Sequence, residues 1–279
     1  MAYSTLIDCT QLLALQDSAA AVVLLDCSFD LADPGAGQRA FDTGHPPGAH
    51  YAHLDRDFSG AKTGGNGRHP LPARVDFAAT VAAWGITPGV QVVCFDGQGG
   101  PYAARAWWLL RWLGHAEVAV LDGGVQAWRA QGGVMVAAAT APSANAPYPD
   151  RESLMPTVDA GDLLATLGRR RIIDARAPER FRGEVEPLDA VAGHIPGASN
   201  RFFKDNLDVQ GCFKPAAELR SVFEGFGTRA ADIVHQCGSG VTACHNLLAM
   251  DHAGLEGSTL YPGSWSEWCS DPARPVAQG

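Results

Sequence analysis

Short apolar runs alternate along this chain with longer stretches of helical spacing. Ala21-Val-Val-Leu-Leu25, Val90-Gln-Val-Val-Cys-Phe95, Val118-Ala-Val-Leu121 and Ile233-Val-His-Gln236 have strand length and are apolar over most positions. That pattern marks strands buried on both faces. Helical spacing is expected over residues 5–16 after Thr5 or Asp8, over Val75–Trp84, Tyr102–Leu113 and Val125–Ala130, and again over Thr157 to Leu167 and Pro215–Phe223. A further helix opens at about Val241 and runs to Met250. Gly85, Gly114 and the pair Gly132-Gly133 close three of these helices. Trp107, Trp108 and Trp112 share helical spacing and are read as core. Residues 60–72, Gly-Ala-Lys-Thr-Gly-Gly-Asn-Gly-Arg-His-Pro-Leu-Pro, hold no regular element. Strands alternating with helices predict an α/β fold, a mostly parallel sheet with helices on both faces.

The same order of elements occurs twice. Asp26 and Asp174 lie 148 positions apart, His45 and His194 149, Asp96 and Cys237 141, Trp128 and Trp268 140. Gly44-His-Pro-Pro-Gly-Ala49 returns as Gly193-His-Ile-Pro-Gly-Ala198. Offsets that drift by so little identify two copies of one unit. Residues 1–136 form the first expected domain and 157–279 the second. Residues 137–156, which open on a stretch of Ala, Pro, Ser and Asn, are the expected linker.

Composition narrows the classes. The chain has 279 residues, of which 46% are hydrophobic and 18% charged, enough for two cored domains. A net charge of −9 argues against nucleic acid as a partner. No apolar run is long enough for a transmembrane helix, and the N-terminus lacks the basic and apolar regions of a signal peptide. A cytoplasmic protein with no membrane partner is expected, as a monomer. Seven cysteines, an odd number without C-x-x-C spacing, make neither a disulfide framework nor a zinc site. Nothing calls for a metal or an organic cofactor.

The chemistry concentrates at Cys237-Gly-Ser-Gly-Val-Thr242, between a strand and a helix. Gly238 and Gly240 let successive N–H groups turn toward one spot, and the following helix points its positive end there. An anion is favoured at that spot. Cys237 occupies it, so it is expected to be a nucleophilic thiolate. The first copy carries Asp96 at the same place and is expected to be silent.

On these motifs the chain resembles the two-domain rhodanese-type sulfurtransferases. The resemblance rests also on Asp174-Ala-Arg176, Arg180-Phe-Arg-Gly183 and Ser264-Trp-Ser-Glu-Trp268, and covers nearly the whole length. It implies two tandem rhodanese-like domains and a persulfide on Cys237. The sulfur would come from a small anionic donor and pass to cyanide or a thiol. Thiosulfate-specific members place basic residues after the cysteine, whereas Gly238 and Ser239 stand here. The loop is therefore similar to the 3-mercaptopyruvate branch. That branch implies a relay of Ser239, His69 and Asp55, the last two from the first half, and loop contacts from Gly238, Gly240, Val241 and Thr242. Arg180 matches the arginine that holds the donor's carboxylate or sulfonate. A second arginine, in Glu-Pro-Arg, is absent: Leu188 takes its place in the shortened Glu186-Pro-Leu-Asp189, and Arg182 and Arg201 are candidates to replace it. Tyr261-Pro-Gly263 departs too, where aspartate is usual, with a structural effect expected.

Other readings fit less well. A cysteine phosphatase needs an arginine six residues after its cysteine, where Ala243 stands. A P-loop needs Gly-Lys-Ser/Thr, which is absent. Cys244 is two turns into the helix and reads as core, with a resolving thiol as the alternative. Thiosulfate:cyanide sulfurtransfer and a non-catalytic sulfide- or anion-binding module are the remaining alternatives.

Overall fold

Two sheets carry the chain, and every strand pairing in both is parallel. The computed structural model describes residues 2–18, 21–138, 140–143 and 145–279. Ala139 and Ala144, which belong to the expected linker, lie outside the described residues. The first sheet holds β1 (Leu6–Ile7), β2 (Val22–Asp26), β3 (Ala49–Tyr51), β4 (Gln91–Phe95) and β5 (Val118–Leu121), in the order β1-β5-β4-β2-β3. The second holds β6 (Arg171–Asp174), β7 (Ser199–Asn200), β8 (Ile233–Gln236) and β9 (Thr259–Leu260), in the order β7-β6-β8-β9. The α/β class expected from the alternation is the one observed. Among the described residues no helix is long and apolar enough to cross a membrane.

The chain divides into two units. One comprises Met1–Ser59, Pro72–Leu154 and Gln210–Cys212, the other Gly60–Leu71, Met155–Val209 and Phe213–Gly279. The irregular segment that carries His69 is thus part of the second unit. Residues 140–143 and 145–150 form no regular element, yet they are tied to the first unit. Ser143 N donates to Ala83 O, Tyr148 N donates to Ala78 O, and the buried Tyr148 hydroxyl meets His115 Nδ1.

The repeat is visible in side-chain detail. His45 donates from Nδ1 to Phe41 O and stacks on Phe41, with ring centroids 3.6 Å apart. His194 donates to Phe181 O and stacks on Phe181 at 4.0 Å. Trp128 Nε1 donates to Val134 O, and Trp268 Nε1 to Pro275 O. Each His-Pro or His-Ile-Pro turn is thus locked by a stacked imidazole. Trp107 and Trp108 are fully buried, as their spacing suggests, whereas Trp112 is half-buried and stacks on Trp108.

Three boundaries differ from expectation, each for a local reason. Leu6 and Ile7 are drawn into an edge strand beside β5, and the helix begins only at Cys9, after a capping box formed by Asp8 and Gln11. The helix after the linker is Ala160–Ala165, capped by the Asp159 carboxylate, because Thr157 is occupied in a bridge to Leu260. The helix behind the cysteine loop starts at Ala243, since Gly240 is left-handed (φ 76°) and Thr242 takes the cap position.

Central strand β8 buries His235 against Met250 Sδ and Phe223. Burial pushes its imidazole down to about 3, so the folded protein holds it neutral. The unfolded chain gains that proton as pH falls below the ordinary histidine value, near 6.5. Stability is therefore fully present above that value and is lost as pH falls from there toward 3. Thermal melts of the wild type should fall more steeply between neutrality and pH 5 than those of His235→Leu. Parallel curves would contradict this.

Candidate active site

β4 and β8 end one residue before Asp96 and Cys237, at the carboxyl edge of their sheets, where parallel α/β sheets bind ligands. Both residues open a loop leading into a helix, Pro101–Trp112 in the first unit and Ala243–His252 in the second. Gly99 and Gly240 share the left-handed turn of the loop, with φ of 87° and 76°. At Gly240 a β-carbon would lie 2.3 Å from Pro262 O, so only glycine fits.

The two loops differ in what meets their amides. In the first unit the buried Asp96 carboxylate accepts from Gln98 N and Gly100 N at 2.8 Å, and from Tyr102 N and Ala103 N at 3.0 Å. Burial pushes its carboxyl up, against the pull of these four donors. The first cradle is filled by the chain's own anion. In the second unit the N–H groups of Gly238, Ser239, Val241, Thr242 and Ala243 donate to no protein acceptor among the described residues. Cys237 is buried and follows β8 as Asp96 follows β4. That arrangement offers donors to an anion bound beside Cys237.

The start of the loop is pinned from behind. Ser264 Oγ accepts from Cys237 N at 3.1 Å and donates to Tyr261 O. Trp265 N and Ser266 N donate to Cys237 O and Gly238 O, both at 3.0 Å. To do this Ser264 adopts φ 54°, the one non-glycine residue in the left-handed region among those described. Such strain persists where surrounding contacts over-determine it. Cys244 is fully buried with Sγ 3.3 Å from Gly240 O, as expected of a core residue.

Ser239 and His69 come together: Ser239 Oγ and His69 Nδ1 share a 2.7 Å hydrogen bond, and both are buried. Asp55 lies in the first unit, in the first turn of the helix Leu54–Asp57. Arg180 reaches the loop, with Nη1 and Nη2 3.5 and 3.6 Å from where a β-carbon on Gly238 would be. Its Nε and Nη2 donate to Glu186 at 3.3 and 2.6 Å. Burial alone would raise the Glu186 carboxyl. The hydrogen bond and charge of Arg180, together with the amides of Leu188 and Asp189, outweigh it and bring it below its usual value. Arg176 is buried, paired with Asp174, and lies over the Trp265 ring at 4.9 Å.

Both candidates for the missing arginine have partners outside the loop. Arg182 is exposed and paired with Glu184, while Arg201 donates to Asp205 O and Asn206 and lies over Phe223. Leu188 is exposed, with its amide on Glu186. The guanidinium that does approach is Arg68, with Nη2 2.7 Å from the same point beside Gly238, and it forms an ion pair with Asp189. Its adjacency to His69 was the available signal. The carboxylates of Glu186 and Asp189 and the hydroxyl of Ser264 had none beyond proximity to a motif.

The contrast between the cradles has a thermodynamic consequence. Asp96→Ala leaves four amides without their acceptor, those of Gly100 and Ala103 in buried hydrogen bonds, and should cost about 3 kcal/mol. Cys237→Ala takes no acceptor from the amides of Gly238, Ser239, Val241, Thr242 and Ala243, which have none among the described residues, and should cost about 1 kcal/mol. Chemical denaturation of the two variants checks this, and equal losses would contradict it.

Residues 8–131 and 159–271 each match the family described as the rhodanese-like domain. The chain is 47% identical, over 277 residues and 96% of each protein, to a probable 3-mercaptopyruvate sulfurtransferase of Pseudomonas aeruginosa. It is 39% identical over 281 residues to a putative thiosulfate sulfurtransferase, SseB, of Mycobacterium tuberculosis, covering 98% of this chain and 97% of that one. Among solved structures, the 3-mercaptopyruvate sulfurtransferase SseA of Escherichia coli superposes with a TM-score of 0.79 at 28% identity, over 94% of this chain and 99% of the other. With the doubled parallel sheet and the paired loops, these matches show that the chain belongs to the rhodanese family, with two rhodanese-like domains in tandem.

Proposed function

We propose that this protein is a sulfurtransferase that moves a sulfane sulfur from a small anionic donor, with 3-mercaptopyruvate favoured, through a Cys237 persulfide to cyanide or a thiol. The observation that carries the reading is the 2.7 Å Ser239–His69 hydrogen bond beside a cysteine followed by Gly238, Ser239, Val241 and Thr242, whose amides donate to no protein acceptor among the described residues. The relatives named for 3-mercaptopyruvate support it.

In the first half-reaction the Cys237 thiolate attacks the donor sulfur. An S–S bond forms, the S–C bond breaks, and its electron pair leaves on carbon as the enolate of pyruvate. Ser239, in hydrogen-bond contact with His69, supplies or relays the proton that the enolate takes up. The resemblance assigns Asp55 to orienting that imidazole. The loop amides from Gly238 to Thr242 and the helix behind them stabilise the thiolate and the persulfide anion alike. In the second half-reaction cyanide or a thiol attacks the outer sulfur, the S–S bond breaks, and the thiolate returns. Double-displacement kinetics follow. The first domain, with Asp96 in its cradle, is proposed to take no sulfur.

A second reading, thiosulfate as the donor, has Leu188 and the relative named SseB in its favour. For either donor we place the protein in the cytoplasm as a monomer, without nucleic-acid or membrane partners. Seven free cysteines suit a reducing compartment, and a net charge of −9 repels nucleic acid.

Cys237→Ser should abolish turnover with both donors, and substantial residual activity would overturn the mechanism. Comparison of kcat/KM for the two donors decides between the readings. Ser239→Ala should lower 3-mercaptopyruvate turnover by about 100-fold and thiosulfate turnover far less, because only the former needs a proton at carbon. Equal losses would remove the relay from the account.

A further inference from the structure

We infer that Arg68 is the second cationic contact for the anionic group of the sulfur donor, completing with Arg180 a two-guanidinium clamp over Gly238. The inference rests on the proposed sulfurtransferase reading and adds a residue that the resemblance does not assign.

Three observations carry it. The first is convergence. Arg68 Nη2 and both terminal nitrogens of Arg180 surround one point beside the Gly238 Cα, one residue from Cys237. A side chain at 238 would occupy that point, so glycine there opens the space between the guanidiniums.

The second is spare capacity. Arg68 gives Nη1 to Asp189, and Arg180 gives Nε and Nη2 to Glu186. Arg68 Nη2 and Arg180 Nη1 donate to no protein acceptor among the described residues. A guanidinium has five donors in a fixed fork, so these remaining N–H groups are aimed and unused.

The third is how the pair is held. Two cations so close need negative charge between them, and Asp189 supplies it, paired with Arg68 and 3.6 Å from Arg180. Asp189 comes from Glu186-Pro-Leu-Asp189, the stretch that lacks an arginine. Glu186 orders that stretch by accepting the amides of Leu188 and Asp189. The segment that fails to provide a cation therefore positions one from elsewhere. Arg68 keeps a quarter of its side chain exposed and Arg180 about a fifth, so an incoming anion can reach both. The group held is the carboxylate of a 2-keto-3-thio acid or the sulfonate of thiosulfate, each matching a fork of N–H donors.

Steady-state kinetics of Arg68→Met, Arg68→Lys and Arg180→Met, with 3-mercaptopyruvate and with thiosulfate and with cyanide as acceptor, test this. Arg68→Met should raise the donor KM about tenfold or more, with kcat and the cyanide KM changed by less than about threefold. Arg68→Lys keeps the charge and the Asp189 pair but loses the fork, so its donor KM should fall between. A rise for 3-mercaptopyruvate alone, or for both donors, supports the clamp and tells carboxylate from sulfonate. An unchanged donor KM in Arg68→Met, beside a raised one in Arg180→Met, overturns it. So does a fall in kcat with KM unmoved, which would mean that Arg68 acts only by placing His69. A Tm within a few degrees of wild type for Arg68→Lys keeps the comparison free of misfolding. If the wild type turns over neither donor, the sulfurtransferase reading fails, and the clamp with it.

Discussion

A ring of backbone N–H groups that must meet negative charge is the constraint shared by both halves of this protein. Each half ends its central strand at such a ring, because a left-handed glycine and a helix N-terminus turn the amides of one short loop inward. Left empty and buried, such donors are costly. The chain meets the demand in two ways. In the first unit a carboxylate grows out of the loop and satisfies four donors permanently. In the second unit a thiol follows the strand, and among the described residues the amides of Gly238, Ser239, Val241, Thr242 and Ala243 donate to no protein acceptor. Among the differences between the two loops, aspartate against cysteine at the strand end separates a loop filled by its own carboxylate from one that is not.

Around the open cradle the charges are arranged to hold their positions without cancelling the site. Arg176 is buried, paired with Asp174 and covered by Trp265, so it is fixed. Arg180 and Arg68 are each tied at one edge by a carboxylate and keep the other edge toward Gly238. Ion pairs of this kind add little to stability in themselves. Their use is orientation: a guanidinium already held in place loses less freedom when it grips a ligand. Below Cys237, the strained Ser264 anchors the loop through its hydroxyl, so the sulfur is held on rigid backbone.

What could be read from the sequence follows the range of the interactions. The strands, the repeat, the Asp96/Cys237 contrast and the Ser239–His69 pairing were legible, the first three from local pattern and the last from resemblance. Helix starts were less so: Leu6 and Ile7 pair with β5, more than a hundred residues away, and Thr157 is held by Leu260. No local rule reports those partners. Arg68 and Asp189 are 121 positions apart, and neither has meaning without the other. The gap at Leu188 is visible in the sequence, but the guanidinium that approaches Gly238 beside Arg180 is that of Arg68, far from Leu188 along the chain.

The central claim is that Cys237 alone carries transferable sulfur. Mass spectrometry of peptides from the intact protein, incubated with 3-mercaptopyruvate or thiosulfate, tests it most directly. The account predicts a mass gain of one sulfur atom on the Cys237 peptide, removed by cyanide, and none on the half-exposed Cys212 or Cys269. Sulfur on either of those thiols with none on Cys237, or a gain that cyanide cannot remove, would contradict it.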